Sequence, residues 1–434
     1  MRVTTQSSRA VKSHVPLRVP AANRSEIRKG DDPDSVPAPR NGLGVFGTFF
    51  PIPEMAGNSS TGFVAALAGN GMPRSIIVFA QRGAVLPKGE LWSKVSLRPC
   101  WAHDDPISLL QATRTILTGS NSIDSFFFNI YVTAFGRRAT ANTVGLLLPP
   151  LLALLTRKPV TVYMHNFLET QEASMLGYRP SLIERWGVRI LERILLLSAK
   201  VVVPLESQKT KISQVFGIVP KTVFVPFVEP FGLIASMGKE PIKSDIPVAT
   251  PARILLLGGW GPQKDLIGVL EALRLARQRG GQFSVSITGA INPHFPDYRK
   301  AVEDIVATMD PTWCHYVGYV PESDLLKVVL DHDLTILPYN ATGGYSGAMS
   351  VAAYCGIGII SYDLPQMRET AKELGIHPVF VAKGDTPALA EEIILFSSEV
   401  RSRREARHCV PNPEFDARLQ RKVGELIEII RCRR

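Results

Sequence analysis

Between an apolar run and an amphipathic helical one lies Gly258-Gly259-Trp260-Gly261-Pro262-Gln263-Lys264-Asp265. Glycines there let backbone amides approach an anion, and a helix N-terminus adds about half a positive charge. Lys264, at the head of that helix, would meet a diphosphate as a point charge. The spacing is neither G-x-G-x-x-G nor G-x-x-x-x-G-K-[ST], so a dinucleotide fingerprint and a P-loop are both excluded. A tight strand-to-helix turn without ligand is the plainer reading of the same residues. A second segment, Leu337-Pro338-Tyr339-Asn340-Ala341-Thr342-Gly343-Gly344-Tyr345-Ser346-Gly347-Ala348, is Gly-rich, follows a strand and ends at a helix start. Ser346 is a good N-cap, and an anion can take the amides of Gly347 and Ala348 instead. Two anion-receptive helix starts in one sheet point to a phosphorylated ligand held between them. His165, after the apolar run Val160–Met164, reads either as a reactive side chain or as a strand-end histidine satisfied by backbone.

Other chemistries lack their residues. Asp31-Asp32 and Asp104-Asp105 are adjacent pairs, not an Asp-x-Asp metal motif, and no two carboxylates are placed for glycoside hydrolysis. There is no G-x-S-x-G elbow. Cys100, Cys314, Cys355, Cys409 and Cys432 are scattered without a C-x-x-C pair, so free thiols in a reducing cytosol are expected, with no zinc knuckle or disulfide frame. No metal and no cofactor is expected.

The elements that must hold these residues alternate. Val45–Phe49, Ser75–Phe79, Ser125–Tyr131, Val160–Met164, Val201–Pro204 and Val223–Pro226 read as strands. Ser59–Gly69 and Tyr178–Leu197 read as helices, the latter with Leu182, Trp186, Ile190 and Ile194 on one face. Five prolines between Pro226 and Pro251 make a natural linker. The alternation then resumes from Arg253 to Ser361, as parallel sheets covered on both faces require. The fold class is therefore α/β: two doubly wound Rossmann-like domains facing a cleft. An amphipathic helix at Leu419–Ile430 is expected to cross back onto the N-terminal domain. The divisions are a basic leader at 1–41, an N-terminal domain at 42–232, a linker at 233–250, a C-terminal domain at 251–400 and a basic segment at 401–434.

The chain has 434 residues, of which 45% are hydrophobic and 20% charged, which excludes a mostly disordered or coiled-coil protein. Its net charge of +10 sits at the ends. The first 40 residues carry 8 basic against 4 acidic side chains, and residues 401–434 carry 10 against 5. With a nearly neutral middle, a nucleic-acid groove is not expected, whereas an anionic membrane surface is a possible partner of the tails. The most apolar stretch, Val144–Leu155, has 12 residues including Pro149-Pro150. That is short for a bilayer span of about 20 residues and suits a buried helix end or a patch resting on a membrane.

Residues 253–369 resemble the nucleotide-sugar-binding half of a GT-B glycosyltransferase, most nearly family 4. The features are the glycine turn ending in Lys264, Gly318-Tyr319-Val320 before a short helix, and Asp333 ahead of Leu334–Pro338. Ser346-Gly347, Gly356 and Asp363–Glu369 complete the set. The N-terminal half matches more loosely, through Phe49–Gly57 as a first loop and Val160–Asn166 as a strand ending in His. The resemblance implies transfer of a sugar from a nucleotide-diphosphate donor to a glycan, lipid-linked or small-molecule acceptor, with retention and without a metal. Lys264 and His165 would be the catalytic residues. Gly258, Gly259, Lys264, Gly318, Tyr319, Val320, Tyr339, Ser346, Gly347 and Ala348 would bind the donor, and Gly57, Asn58 and Asn166 would face the acceptor. A cytoplasmic enzyme, peripheral on the inner face of a membrane, is implied. Two positions depart from the family: Gly259 stands where many members have Arg, and Gly343 and Val351 stand where paired glutamates are usual. A catalytically inactive relative serving as a binding protein is the alternative they raise.

Overall fold

Runs such as Ile76–Ala80 and Phe126–Phe128 are apolar on both faces, which only a strand covered above and below can satisfy. The computed structural model describes residues 42–49, 56–70, 75–87, 89–132, 134–136, 138–167, 181–226, 250–405 and 413–432. In the first lobe the strands are β1 (Gly42–Gly47), β2 (Ser75–Gln81), β3 (Val95–Trp101), β4 (Ser125–Ile130), β5 (Val160–Met164), β6 (Lys200–Val203) and β7 (Lys221–Thr222). They form one parallel sheet in the order β3-β2-β1-β4-β5-β6-β7. Helices α1 (Ala56–Gly69), α2 (Pro106–Gly119), α3 (Ala139–Thr156), α4 (Leu182–Ser198) and α5 (Glu206–Phe216) connect them. The chain moves one way from β1 to β3 and the other way from β3 onward. Right-handed crossovers therefore send α1 to one face and α2, α3 and α4 to the other.

The second lobe repeats the plan. Its strands are β8 (Ala252–Leu257), β9 (Phe283–Thr288), β10 (Cys314–Gly318), β11 (Leu334–Leu337), β12 (Gly358–Tyr362) and β13 (Val379–Val381). All are parallel, in the order β10-β9-β8-β11-β12-β13. Its helices are α6 (Leu266–Gln278), α7 (Pro296–Ala307), α8 (Glu322–Leu330), α9 (Gly347–Cys355), α10 (Pro365–Leu374), α11 (Thr386–Glu405) and α12 (Pro413–Arg431). Strand order reverses between β1 and β4 and between β8 and β11, and the crevice outside such a switch point is where open α/β sheets bind ligands. The glycine turn follows β8 and the Gly-rich loop follows β11, so both candidate segments flank the second switch point.

α12 turns Leu419, Val423, Leu426 and Ile430 into the cluster formed by α1 and the first sheet. Lys200 Nζ donates to the Ile429 carbonyl at 3.0 Å. Its first turn reaches the second lobe, where Phe415 meets Tyr354 edge-on at 5.4 Å and Arg418 donates to the Glu373 carbonyl. At the other end of the second sheet Arg404 grips Asp333, both side chains at most 5% exposed, while Asp333 also accepts from the Arg253 amide. Asp333 is thus a brace between β8, β11 and α11, at the strand starts.

The structure differs from the sequence reading in several elements. β7 has two residues and Val223–Pro226 continues outside the sheet. β3 and α2 occupy a stretch with no clear period, because β3 is an edge strand whose alternation is broken at Arg98-Pro99. Asp105 of the Asp104-Asp105 pair is the N-cap of α2, accepting from the Ile107 and Ser108 amides. α3 has 18 residues and, by length and composition, is apolar enough to cross a membrane. Pro149 and Pro150 lie inside it, and Gly145 lacks the side chain that would overlap Phe135. It is the crossover from β4 to β5, with Leu146, Leu148 and Leu152 buried. The 1–41 leader and residues 233–249 of the expected linker lie outside the described residues.

Candidate active site

Three adjacent strands end on glycine: Gly258 after β8, Gly289 after β9 and Gly318 in β10, with φ of +149°, +97° and +76°. All three conformations disfavour a side chain. A Cβ on Gly289 would overlap the Gly258 carbonyl oxygen, and the Gly289 amide donates to the Gly318 carbonyl at 2.6 Å. The strand ends therefore make a bare backbone shelf. A Cβ on Gly258 would collide with Lys264 Nζ, so the ammonium lies against that shelf.

Lys264 is 8% exposed. Its Nζ lies 4.8 Å from the Tyr339 ring centre and 5.5 Å from that of Trp260, and among the described residues no carboxylate pairs with it. Backbone bonds fix the residue: its amide donates to the Gly261 carbonyl and its carbonyl accepts from the Tyr298 hydroxyl. The helix does not start at Lys264. α6 begins two residues later with Asp265 as N-cap, one carboxylate oxygen accepting from the Gly268 amide at 3.0 Å and the other from the Tyr362 hydroxyl at 2.8 Å. Aspartate is among the best N-caps. A fixed carboxylate therefore stands at this helix start and repels a second anion, and only one of the two sequence-predicted helix starts has a neutral cap.

That one is α9. Ser346 is 1% exposed, and its Oγ accepts from the Met349 amide and donates to the Tyr339 hydroxyl at 3.1 Å. The cap takes the third amide of the helix, and those of Gly347 and Ala348 stand ahead of the first intrahelical bond. Tyr339 thus holds Ser346 with its hydroxyl and faces Lys264 with its ring. The two segments share one tyrosine.

His165 comes to the same place from the first lobe. Its Nε2 lies 2.7 Å from Asn129 Oδ1, and Asn129 Nδ2 donates to Ser60 Oγ. With the amide so oriented, Nε2 carries the proton and Nδ1 is the acceptor. Burial pushes the imidazole pKa down to about 4, so the ring is neutral near pH 7. Tyr345, just before Ser346, has its ring 6.0 Å from that of His165 and 5.3 Å from that of Phe224. Gln208 Nε2 donates to the carbonyls of His165 at 2.9 Å and Gly343 at 2.8 Å, tying the lobes together. Glu369 of α10 accepts from the Glu206 and Ser207 amides, so a carboxylate of one lobe caps a helix of the other.

The structure brings Gly258, Lys264, Tyr339, Ser346, Gly347, Ala348 and His165 together. Gly318 joins through Gly289, and beyond it Tyr319 is 57% exposed and Val320 half-buried on the outer edge. Asn166 has its side-chain oxygen engaged by the Val132 amide. Gly57 and Asn58 open α1, and the loop before them (50–55) is outside the described residues. Around Gly259 no atom lies within 4 Å of an added Cβ, so a side chain fits there. Val351 is buried in an apolar cluster and offers a ribose nothing polar. Sequence reasoning missed Asn129, Gln208 and Gly289, and it singled out Glu369 within Asp363–Glu369 without giving it a role. Asn129 is the one polar residue inside the apolar part of the run Ser125–Ile130, while Gln208 has no local signal. Among the described residues no group of three His, Cys, Asp or Glu is placed to hold a metal.

The fold has counterparts among known structures. HepE of Anabaena, crystallised in complex with UDP, matches 90% of this chain and 100% of its own, with 13% identity and a TM-score of 0.56. A trehalose-phosphate synthase of Burkholderia xenovorans in complex with glucose-6-phosphate matches 90% and 100%, with 11% identity and a TM-score of 0.59. The chain has the GT-B fold. In sequence it is 26% identical over 174 residues to the amylovoran biosynthesis glycosyltransferase AmsK of Erwinia amylovora, a match covering 38% of this chain and 41% of that relative. No family model matches the chain.

Proposed function

We propose that the protein transfers a sugar from a UDP-sugar to an acceptor hydroxyl on the first lobe, with retention and without a bound metal. The observation that carries this is the buried Lys264 ammonium, walled by two aromatic faces, one of which, Tyr339, also holds the Ser346 cap ahead of the Gly347 and Ala348 amides. A cation and free amides so enclosed favour a diphosphate. That HepE was crystallised with UDP and with UDP-glucose supports uridine as the base.

In the reaction the bond from anomeric carbon to β-phosphate oxygen breaks, and its electron pair stays on the diphosphate. Lys264 and the two amides meet that growing charge, so they stabilise the transition state more than the bound donor. The acceptor oxygen bonds to the anomeric carbon on the face the diphosphate leaves. Its proton passes to the departing phosphate oxygen, so no side-chain base is needed. Neutral His165, accepting through Nδ1, orients a sugar hydroxyl. Closure of the lobes about Gln208 excludes water from the activated sugar.

Mass spectrometry of the nucleotide released from a panel of UDP- and GDP-sugars tests the proposal. UDP release that rises with an acceptor extract is the expected result, and release from no donor contradicts it. Val351 favours a second reading, in which the fold binds a partner and transfers nothing, because no ribose acceptor stands at that position. Such a protein would release no nucleotide.

A further inference from the structure

The apolar stripe that gives α4 its helical period faces outward. Leu182 is 76% exposed, Ile183 85%, Trp186 65% and Ile190 56%, and Ile194 continues the line, whereas Leu195 and Leu196 face the sheet. Neighbouring α3 and α2 lie on the same sheet face and add exposed Leu147, Leu154 and Leu155, and Ile107 and Leu110. A lone exposed leucine needs no explanation, but ten apolar side chains across three adjoining helices do.

Among the described residues the charge on this face is mostly of one sign. Arg114 of α2, Arg157 at the end of α3, and Arg185, Arg189 and Arg193 of α4 are exposed. The exposed acid is Glu184, whose carboxylate accepts from Ser181, while Glu192 is buried. A second copy packed here about a two-fold axis would set arginines against arginines. An apolar stripe with Trp at its centre and Arg along its edge suits the headgroup boundary of an anionic bilayer.

We infer that the α2–α3–α4 face seats the protein on an anionic phospholipid surface. This differs from attachment by the basic tails, and Trp186 and Ile190 are its anchors. As crossover helices run against the strands, α4 starts at the sheet edge where β5 delivers His165. The acceptor would then be amphiphilic and enter from the membrane, a point that rests on the glycosyl-transfer reading.

Flotation with phosphatidylcholine vesicles, with and without phosphatidylglycerol, tests the seat. The full chain should float only with phosphatidylglycerol, with a blue shift of Trp emission. W186S/I190E, which alters exposed positions and should melt like the wild type by circular dichroism, should lose at least about tenfold in vesicle partition. R185Q/R189Q/R193Q should lose the preference for the anionic vesicle. A wild type that stays at the bottom with both vesicles overturns the inference, as does equal flotation of W186S/I190E. A dimer abolished by W186S/I190E in ultracentrifugation, without flotation of the wild type, would assign the face to a second copy. UDP binding by a wild type that does not float retains the glycosyl-transfer proposal and removes only the seat, and flotation without UDP binding does the reverse.

Discussion

Lys264 and His165 answer opposite electrostatic needs. The lysine lies against aromatic faces and backbone, while the imidazole is kept neutral by burial among Phe63, Tyr163 and Tyr345. Replacing Lys264 with Ala should lower UDP-sugar turnover at least about tenfold, the equivalent of about 1.4 kcal/mol of transition-state stabilisation. Initial rates at saturating donor would show it. G259R adds a second cation where there is room and should tighten UDP binding several-fold by calorimetry. The His165 pKa, about 4 against an ordinary 6.5, means the folded state binds fewer protons between those values. Its share of stability is complete above about pH 6.5 and disappears as pH falls through 4. H165Q should therefore flatten the rise of stability from pH 4 to 6.5 in urea titrations, and no histidine limb should appear in the pH–rate profile from 5 to 8. Gly258, Lys264 and Ser346 were legible in the sequence because their signals are local: a turn, a charge after it, a cap. Asn129 was not, because its partners Ser60 and His165 come from other elements.

At the scale of elements, ends matter more than middles. Asp265 illustrates why one inference from sequence failed: a good N-cap after a cation reads equally as an open helix start, and only the bonds from Gly268 and Tyr362 show a fixed carboxylate standing there. The parallel sheets were legible because their strands are apolar on both faces. Edge strand β3 was not, because partial exposure and Pro99 erase its period. Helix α4 was legible as a helix, but the spacing of its apolar side chains says nothing about which way they face. Two substitutions test the ends. R404A leaves Asp333 buried without its guanidinium partner and should cost about 3–5 kcal/mol in denaturant unfolding. G289A forces a side chain against the Gly258 carbonyl in a left-handed conformation and should weaken UDP binding. Unchanged calorimetric affinity in G289A would remove the shelf from the donor site.

Across the whole molecule, the two sheets meet through few contacts of high consequence. Gln208 reaches both His165 and Gly343, Glu369 caps α5 from the other lobe, and α12 is braced on both. The apolar face of α12 is written in the spacing of Leu419, Val423, Leu426 and Ile430, while the latches between lobes are not, since Gln208 and Gly343, and Glu206 and Glu369, are more than 130 positions apart. E369A should leave each lobe folded and widen the solution envelope in small-angle scattering. The claim on which the account turns is that a diphosphate lies between Lys264 and the start of α9. Isothermal titration of the full chain with UDP, wild type beside K264A, measures it directly. The account predicts saturable binding that K264A weakens at least about tenfold. No heat with the wild type, or equal affinity in K264A, would contradict it.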